Sequence, residues 1–138
     1  MTEKYLNDTS IWMDLYEDRK GFAGEPLCDY ALKLFIQIKA KKYKIVISDL
    51  LLKELELHYS LAAINGMMNP FEDLIEKVIV TKEQRDEAKK ISLERNVPPN
   101  DFLHAILARD NKSILVTRDN HFKQLKDISN YHKPEELI

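Results

Sequence analysis

KIVISDLLLKELE, residues 44–56, is the stretch that decides the fold. Ile45, Val46 and Ile47 form an unbroken β-branched run, the pattern of a strand covered on both faces. Ser48 and Asp49 then open a helix, so a buried strand hands over directly to a helix. The same handover is expected twice more. KYLN at 4–7 is a short first strand, followed by Asp8 and a helix that Thr9 or Ser10 can cap, with Ile11, Trp12 and Leu15 on one face. SILVT at 113–117 is the clearest central strand. VIV at 78–80 adds a further strand, and a short edge strand is expected near Ile128.

Helices fill the intervals. After the Gly- and Pro-containing loop EDRKGFAGEP, an amphipathic helix begins at Pro26 and places Leu27, Ala31, Leu34, Phe35 and Ile38 on one face. Asn69, Pro70 and Glu72 carry the signs of another helix start. Thr81 and Gln84 form a capping box for a polar helix reaching about Arg95. Pro98 and Pro99 break the chain, and the segment from Asn100 to Asp110 is apolar on almost every side, as a deeply buried helix requires. Strands alternating with helices imply an α/β fold: a three-layer α/β/α sandwich on a central, mainly parallel sheet of four or five strands.

At 138 residues and 16.2 kDa, one domain spanning 1–138 is expected, long enough to bury its own core. The longest apolar runs fall far short of the ~18 residues a membrane span needs. The opening MTEKYLNDTS has neither a basic segment nor an apolar core. Cys28, the one cysteine, can form no internal disulfide and has no companions at zinc spacing; it is expected to be buried on a helix. A reducing cytosol is the expected location. The net charge of −2 and pI near 6.1 argue against nucleic-acid binding by bulk charge, but not against a pocket that reaches phosphates through metal ions.

Four acids stand at or near strand-to-helix handovers: Asp8, Glu54, Asp101 and Asp119. In an open parallel sheet, groups placed after different strands converge in the crevice beyond the strands' carboxyl ends. Converging carboxylates repel one another unless one or two divalent cations neutralise them. Each acid alone has a structural alternative. Asp8 can cap a helix, Asp101 can cap after PPN, and Asp119 is an acid in a turn. Glu54 falls on a helical wheel among Leu50, Leu51, Leu57 and Leu61, where a buried ion pair with Lys or Arg is the alternative to metal binding. His104 and His121 flank Asp101 and Asp119 and read as packing or surface residues. Lys39, Lys41, Lys42 and Lys44 precede a strand and so lie at the wrong end of the sheet. Arg118, with Arg19 and Lys20, is better placed to meet phosphates.

In this order the residues resemble PIN-domain ribonucleases, especially the compact VapC-type toxins of type II toxin-antitoxin pairs. LNDTS resembles the family's opening strand and first Asp, ISDLLLKEL its second strand with the Glu, NDFLHAILA its third acidic motif, and LVTRDNHF its closing motif through Thr117, Asp119 and Phe122. Asn7 departs from the pattern, standing where an apolar residue is usual. The resemblance implies Mg²⁺- or Mn²⁺-dependent hydrolysis of RNA, with Asp8, Glu54, Asp101 and Asp119 as catalytic metal ligands. Thr117 or Ser10 would hydrogen-bond a metal-bound water or a phosphate oxygen. It also implies a homodimer built on the helices after Pro26 and Ser48, and a small antitoxin partner. Two further readings stay open, an RNA-processing nuclease without a toxin role and a PIN-like scaffold that binds without turnover. A two-component receiver also gathers acids at strand ends, but this chain has no strand-end Lys suited to its switch.

Overall fold

The computed structural model describes residues 3–138. Five strands, β1 (Lys4–Asn7), β2 (Lys44–Ser48), β3 (Ile75–Val78), β4 (Ile114–Val116) and β5 (Tyr131–His132), form one sheet in the order β3-β2-β1-β4-β5, and every neighbouring pair is parallel. The chain begins in the middle of the sheet. It builds outward through β2 and β3 on one side, then returns to the other side as β4 and β5. The reversal of direction between β1 and β4 is the switch point at which an open parallel sheet leaves a crevice at its carboxyl edge.

The period-two alternation of strand side chains sorts the core into two layers. Tyr5, Ile45, Ile47 and Val116 point to one face and pack with Trp12, Phe35 and Phe71. That face is covered by α1 (Thr9–Glu17), α2 (Leu27–Lys41), α3 (Asp49–Glu56), α4 (Leu61–Met68) and the 3-10 turn Asn69–Leu74. Leu6, Val46 and Leu115 point to the other face. There they meet α5 (Lys82–Arg95), α6 (Pro99–Asp110) and the 3-10 turn Asn120–Leu125. The two layers of helices around the sheet make the expected three-layer α/β/α fold. Seven consecutive residues of α6, Phe102 to Ala108, are buried, as its all-round apolar pattern requires. Among the described residues no helix is long and apolar enough to cross a membrane.

Several boundaries differ from the sequence expectations for identifiable reasons. The helix after Ser48 stops at Glu56 and a second one starts afresh, because Ser60 accepts a hydrogen bond from the Ala63 amide and caps α4. Leu57 and Leu61 therefore do not continue the buried face and are 81% and 64% exposed. Asn69 and Pro70 do not start a new helix but tighten the end of α4 into a 3-10 turn. The third strand is Ile75–Val78 rather than 78–80, since register with Ile45–Ser48 outranks the local β-branched run. The last strand is Tyr131–His132 rather than near Ile128, whose backbone instead closes a turn onto Leu125. Cys28 lies on α2 but is only partly buried, its Sγ donating to the Leu15 carbonyl.

Candidate active site

At the carboxyl ends of β1 and β4, backbone pairing runs one residue past the strands. The Asp8 amide donates to Val116 O at 3.0 Å, and the Thr117 amide donates to His132 O at 3.0 Å. Asp8 and Thr117 are thereby fixed side by side across the switch point. Asp8 occupies the cap position of α1 but makes no side-chain cap bond, so its carboxylate is free to serve the crevice. Ser10 Oγ donates to its Oδ1 at 2.5 Å, and Thr117 Oγ1 donates to its Oδ2. Thr117 Oγ1 in turn accepts from the Asp119 amide at 3.0 Å, tying the turn after β4 to the acid after β1. Ser10 and Thr117, expected at a metal water or phosphate, thus hold Asp8 in place. Asp8 is almost fully buried, and burial pushes its carboxyl above the ordinary range against the pull of the two hydroxyls and of His104.

Among the described residues, Glu54 meets neither lysine nor arginine. Its Oε1 accepts from Thr9 Oγ1 at 2.7 Å and lies 2.7 Å from His104 Nε2. Burial works to raise the Glu54 carboxyl, but the His104 contact and the Thr9 hydroxyl outweigh it and hold the group below its usual value. His104, read from sequence as packing or surface, is a buried residue of α6 only 3% exposed. Burial alone would lower its basicity; the hydrogen bond and charge of Glu54, then the charges of Asp8 and Asp101, win and raise it. Three of the four acids therefore act electrostatically on this one ring.

Asp101 and Asp119 gather around the second histidine. Asp101 sits in the first turn of α6, where the helix dipole favours an anion. Ala105 and Ala108, on the same side, are fully buried and let α6 lie close against the sheet. Asp119 caps the 3-10 turn Asn120–Leu125, its side chain accepting from the His121 amide at 2.9 Å. His121 Nδ1 is 2.9 Å from Asp101 Oδ2 and 3.3 Å from Asp119 Oδ1. Burial, then the neighbouring Asp119 carboxylate, raises the Asp101 carboxyl above its ordinary value, with His121 and His104 opposing.

One ligand atom from each of Asp101, Asp119 and His121 lies within 4.8 Å of the others, a spacing that a single cation can bridge. Asp8 and Glu54 are not part of that trio; they are joined to it through His104 and Thr117. Two carboxylates that repel each other, with an imidazole beside them and no guanidinium or ammonium within salt-bridge distance among the described residues, are donors that suit a divalent cation. The residues fit a metal.

Arg118 departs from its expected role. Its guanidinium is bound to buried Asp14 at 3.2 Å and makes two bonds of 2.9 and 2.7 Å to Glu135, while its charge sits over the Tyr30 ring. It is a structural clamp, with no donor fork left for phosphate. Arg19 leans on Asp14 and Glu17, and Lys20 is exposed. Sequence reasoning gave His104 only a packing or surface role and Thr9 only a capping role. The available signal was a titratable ring in the middle of the otherwise apolar run Phe102–Ala108.

A model of the PIN-domain family matches residues 5–128. A comparison with curated protein sequences finds no match. Among solved structures, a toxin-antitoxin complex from Klebsiella pneumoniae is similar with a TM-score of 0.65 at 16% identity, covering 94% of this chain and 97% of that one. The crystal structure of VapBC2 from Rickettsia felis, bound to a DNA fragment from their promoter, has a TM-score of 0.64 at 20% identity, covering 93% and 95%. PAE2754 from Pyrobaculum aerophilum has a TM-score of 0.57 at 20% identity, covering 98% and 86%.

Proposed function

The chain belongs to the PIN-domain family, and on that premise we propose that it is a metal-dependent endoribonuclease acting as the toxin of a toxin-antitoxin pair. The observation that carries the reading is the Asp101–Asp119–His121 group at the crevice, with Asp8 and Glu54 held beside it. Asp8, Glu54, Asp101 and Asp119 would hold Mg²⁺ or Mn²⁺, directly or through water. A bound cation would supply Lewis-acid polarisation of a phosphoryl oxygen and a water of lowered pKa. The protein's own part is to hold the acids. Thr117 and Ser10 orient Asp8, Thr9 and His104 orient Glu54, and the first turn of α6 presents Asp101.

Structural likeness to a toxin-antitoxin complex and to VapBC2 supports a toxin with a small antitoxin partner. Leu32 and Ile36 on α2, and Leu57 and Leu61 beside α3 and α4, are exposed apolar side chains that support self-association as a homodimer. Purified protein incubated with RNA and Mn²⁺ is expected to cut internal phosphodiester bonds, and Glu54→Gln is expected to be silent while remaining folded. Undiminished cleavage by that variant would discard the site. Growth arrest on expression, relieved by the product of an adjacent small gene, separates a toxin from an RNA-processing nuclease.

A further inference from the structure

The acids of the site are held unequally. Asp8 is fixed by two hydroxyls, Ser10 from the first turn of α1 and Thr117 from the end of β4, but Glu54 comes from α3 and must be aimed from a distance. Both of its polar contacts converge on a single oxygen. Thr9 Oγ1 and His104 Nε2 each lie 2.7 Å from Oε1, leaving Oε2 without a bond to the protein among the described residues. The two partners approach from different layers. Thr9 opens α1 on one face of the sheet, and His104 stands on α6 on the other. A carboxylate pinned at one oxygen from two sides has its rotation about the terminal bond fixed, and its second oxygen is presented in one direction.

Among the described residues, Glu54 is the one hydrogen-bond partner of the His104 ring. The ring is buried, and Nδ1 makes no hydrogen bond to the described residues, so the contact with Glu54 determines which nitrogen carries the proton. An apolar residue would fill this position of the otherwise apolar run Phe102–Ala108 at lower cost, since a buried ring nitrogen without a partner is unfavourable. We propose that His104 is a positioning residue that bridges α6 to Glu54 and orients its free oxygen toward the divalent cation. The inference rests on the metal-dependent reading above. Partners of ligating carboxylates typically contribute 10- to 100-fold in metal affinity.

The test is calorimetric titration of the metal-free full chain with Mn²⁺, with circular dichroism to verify the fold. His104→Phe is expected to weaken Mn²⁺ binding by about 10- to 100-fold, and His104→Gln, which keeps a donor, to recover part of the loss. Thr9→Val, at a half-buried position outside the core, removes the other donor to Oε1 and is expected to weaken binding in the same direction even if His104→Phe does not fold. Glu54→Gln serves as the reference. If it abolishes high-affinity Mn²⁺ binding while His104→Gln, His104→Phe and Thr9→Val bind as wild type, the positioning role is overturned and the metal site stands. If Glu54→Gln itself binds Mn²⁺ undiminished, Glu54 is not a ligand and the reading beneath the proposal fails with it.

Discussion

The acids on the α5–α6 face and the acids at the crevice are treated in opposite ways. Arg109 makes two bonds of 2.8 Å to Glu87 and one of 2.9 Å to Asp110, and Arg95 grips Asp127 at 2.8 and 2.7 Å. These three carboxylates each have a permanent cation, and Glu87, Asp110 and Asp127 are held below their ordinary values. At the crevice no arginine or lysine among the described residues reaches the four acids. They meet hydroxyls, backbone amides and two histidines, and Asp8 and Asp101 are raised. The lesson is that charge neutralisation built into the chain marks structural acids, whereas the crevice acids share imidazoles and keep charge that no lysine or arginine among the described residues offsets. The Asp14–Arg118–Glu135 clamp makes the same point close to the crevice, because the guanidinium of the residue next to Asp119 is committed elsewhere.

The sharpest way to break this contrast is to remove charge at the crevice. Asp101→Asn or Asp119→Asn is expected to lower Mn²⁺-dependent RNA cleavage by about a thousandfold or more, ~4 kcal/mol of transition-state stabilisation. Because Asp101 is destabilised by burial and by Asp119, its replacement should raise the melting temperature of the metal-free protein, by a shift on the order of 3 °C. A lower melting temperature would class these acids with the structural ones. Removing charge from the clamp should do the reverse. Arg118→Ala leaves Asp14, 4% exposed at its side chain, without its closest cation. A loss of roughly 3 kcal/mol in urea unfolding is expected. Cleavage lost with stability intact would instead restore Arg118 as an RNA contact.

A smaller gain is expected at Asn7, next to Asp8. Its amide is fully buried, and neither Oδ1 nor Nδ2 has a partner among the described residues. Asn7→Leu should stabilise the protein by about 1–2 kcal/mol in urea unfolding, the desolvation cost of an unsatisfied amide. No gain would mean that the amide is satisfied in solution.

The smallest effect belongs to the exposed pairs. Glu87→Gln should cost less than about 1 kcal/mol, because Glu87 and Arg109 are each more than a third exposed and screened by solvent. Its pH signature still separates the two regions. The folded Glu87 carboxyl titrates below its ordinary value of 4.5, so its contribution is fully present above that pH and is lost as pH falls through the folded value. Asp101 titrates above its ordinary value of 3.8, so stability declines as pH rises from there toward the folded value. Melting curves of metal-free wild type, Glu87→Gln and Asp101→Asn between about pH 3 and 7 should show these two slopes with opposite signs.

The layered fold was legible because its signals are local and redundant. The β-branched run at 45–47, the capping box at Thr81 and Gln84, and the all-round apolar helix after Pro99 each state their structure within a few residues. Strand boundaries at β3 and β5 were less legible, since short edge strands take their limits from the neighbour they pair with. Glu54 was noticed for an imperfect reason. The wheel that drew attention to it ran through Leu57 and Leu61, which α3 does not include.

By itself the sequence determined the alternation of strands and helices and the two-faced core, because hydrophobic period and capping chemistry act over one or two turns; of the four acids expected at strand-to-helix handovers, Asp101 instead follows the α5–α6 junction and Glu54 sits within α3. Only the tertiary structure decided which charges meet. It turned Arg118 toward Asp14 and Glu135, brought His104 onto Glu54 across 50 residues of chain, and gathered Asp101, Asp119 and His121 within bridging distance. Those outcomes depend on distances across the sheet and on what remains to compensate each buried charge after packing, quantities that no local window of residues contains.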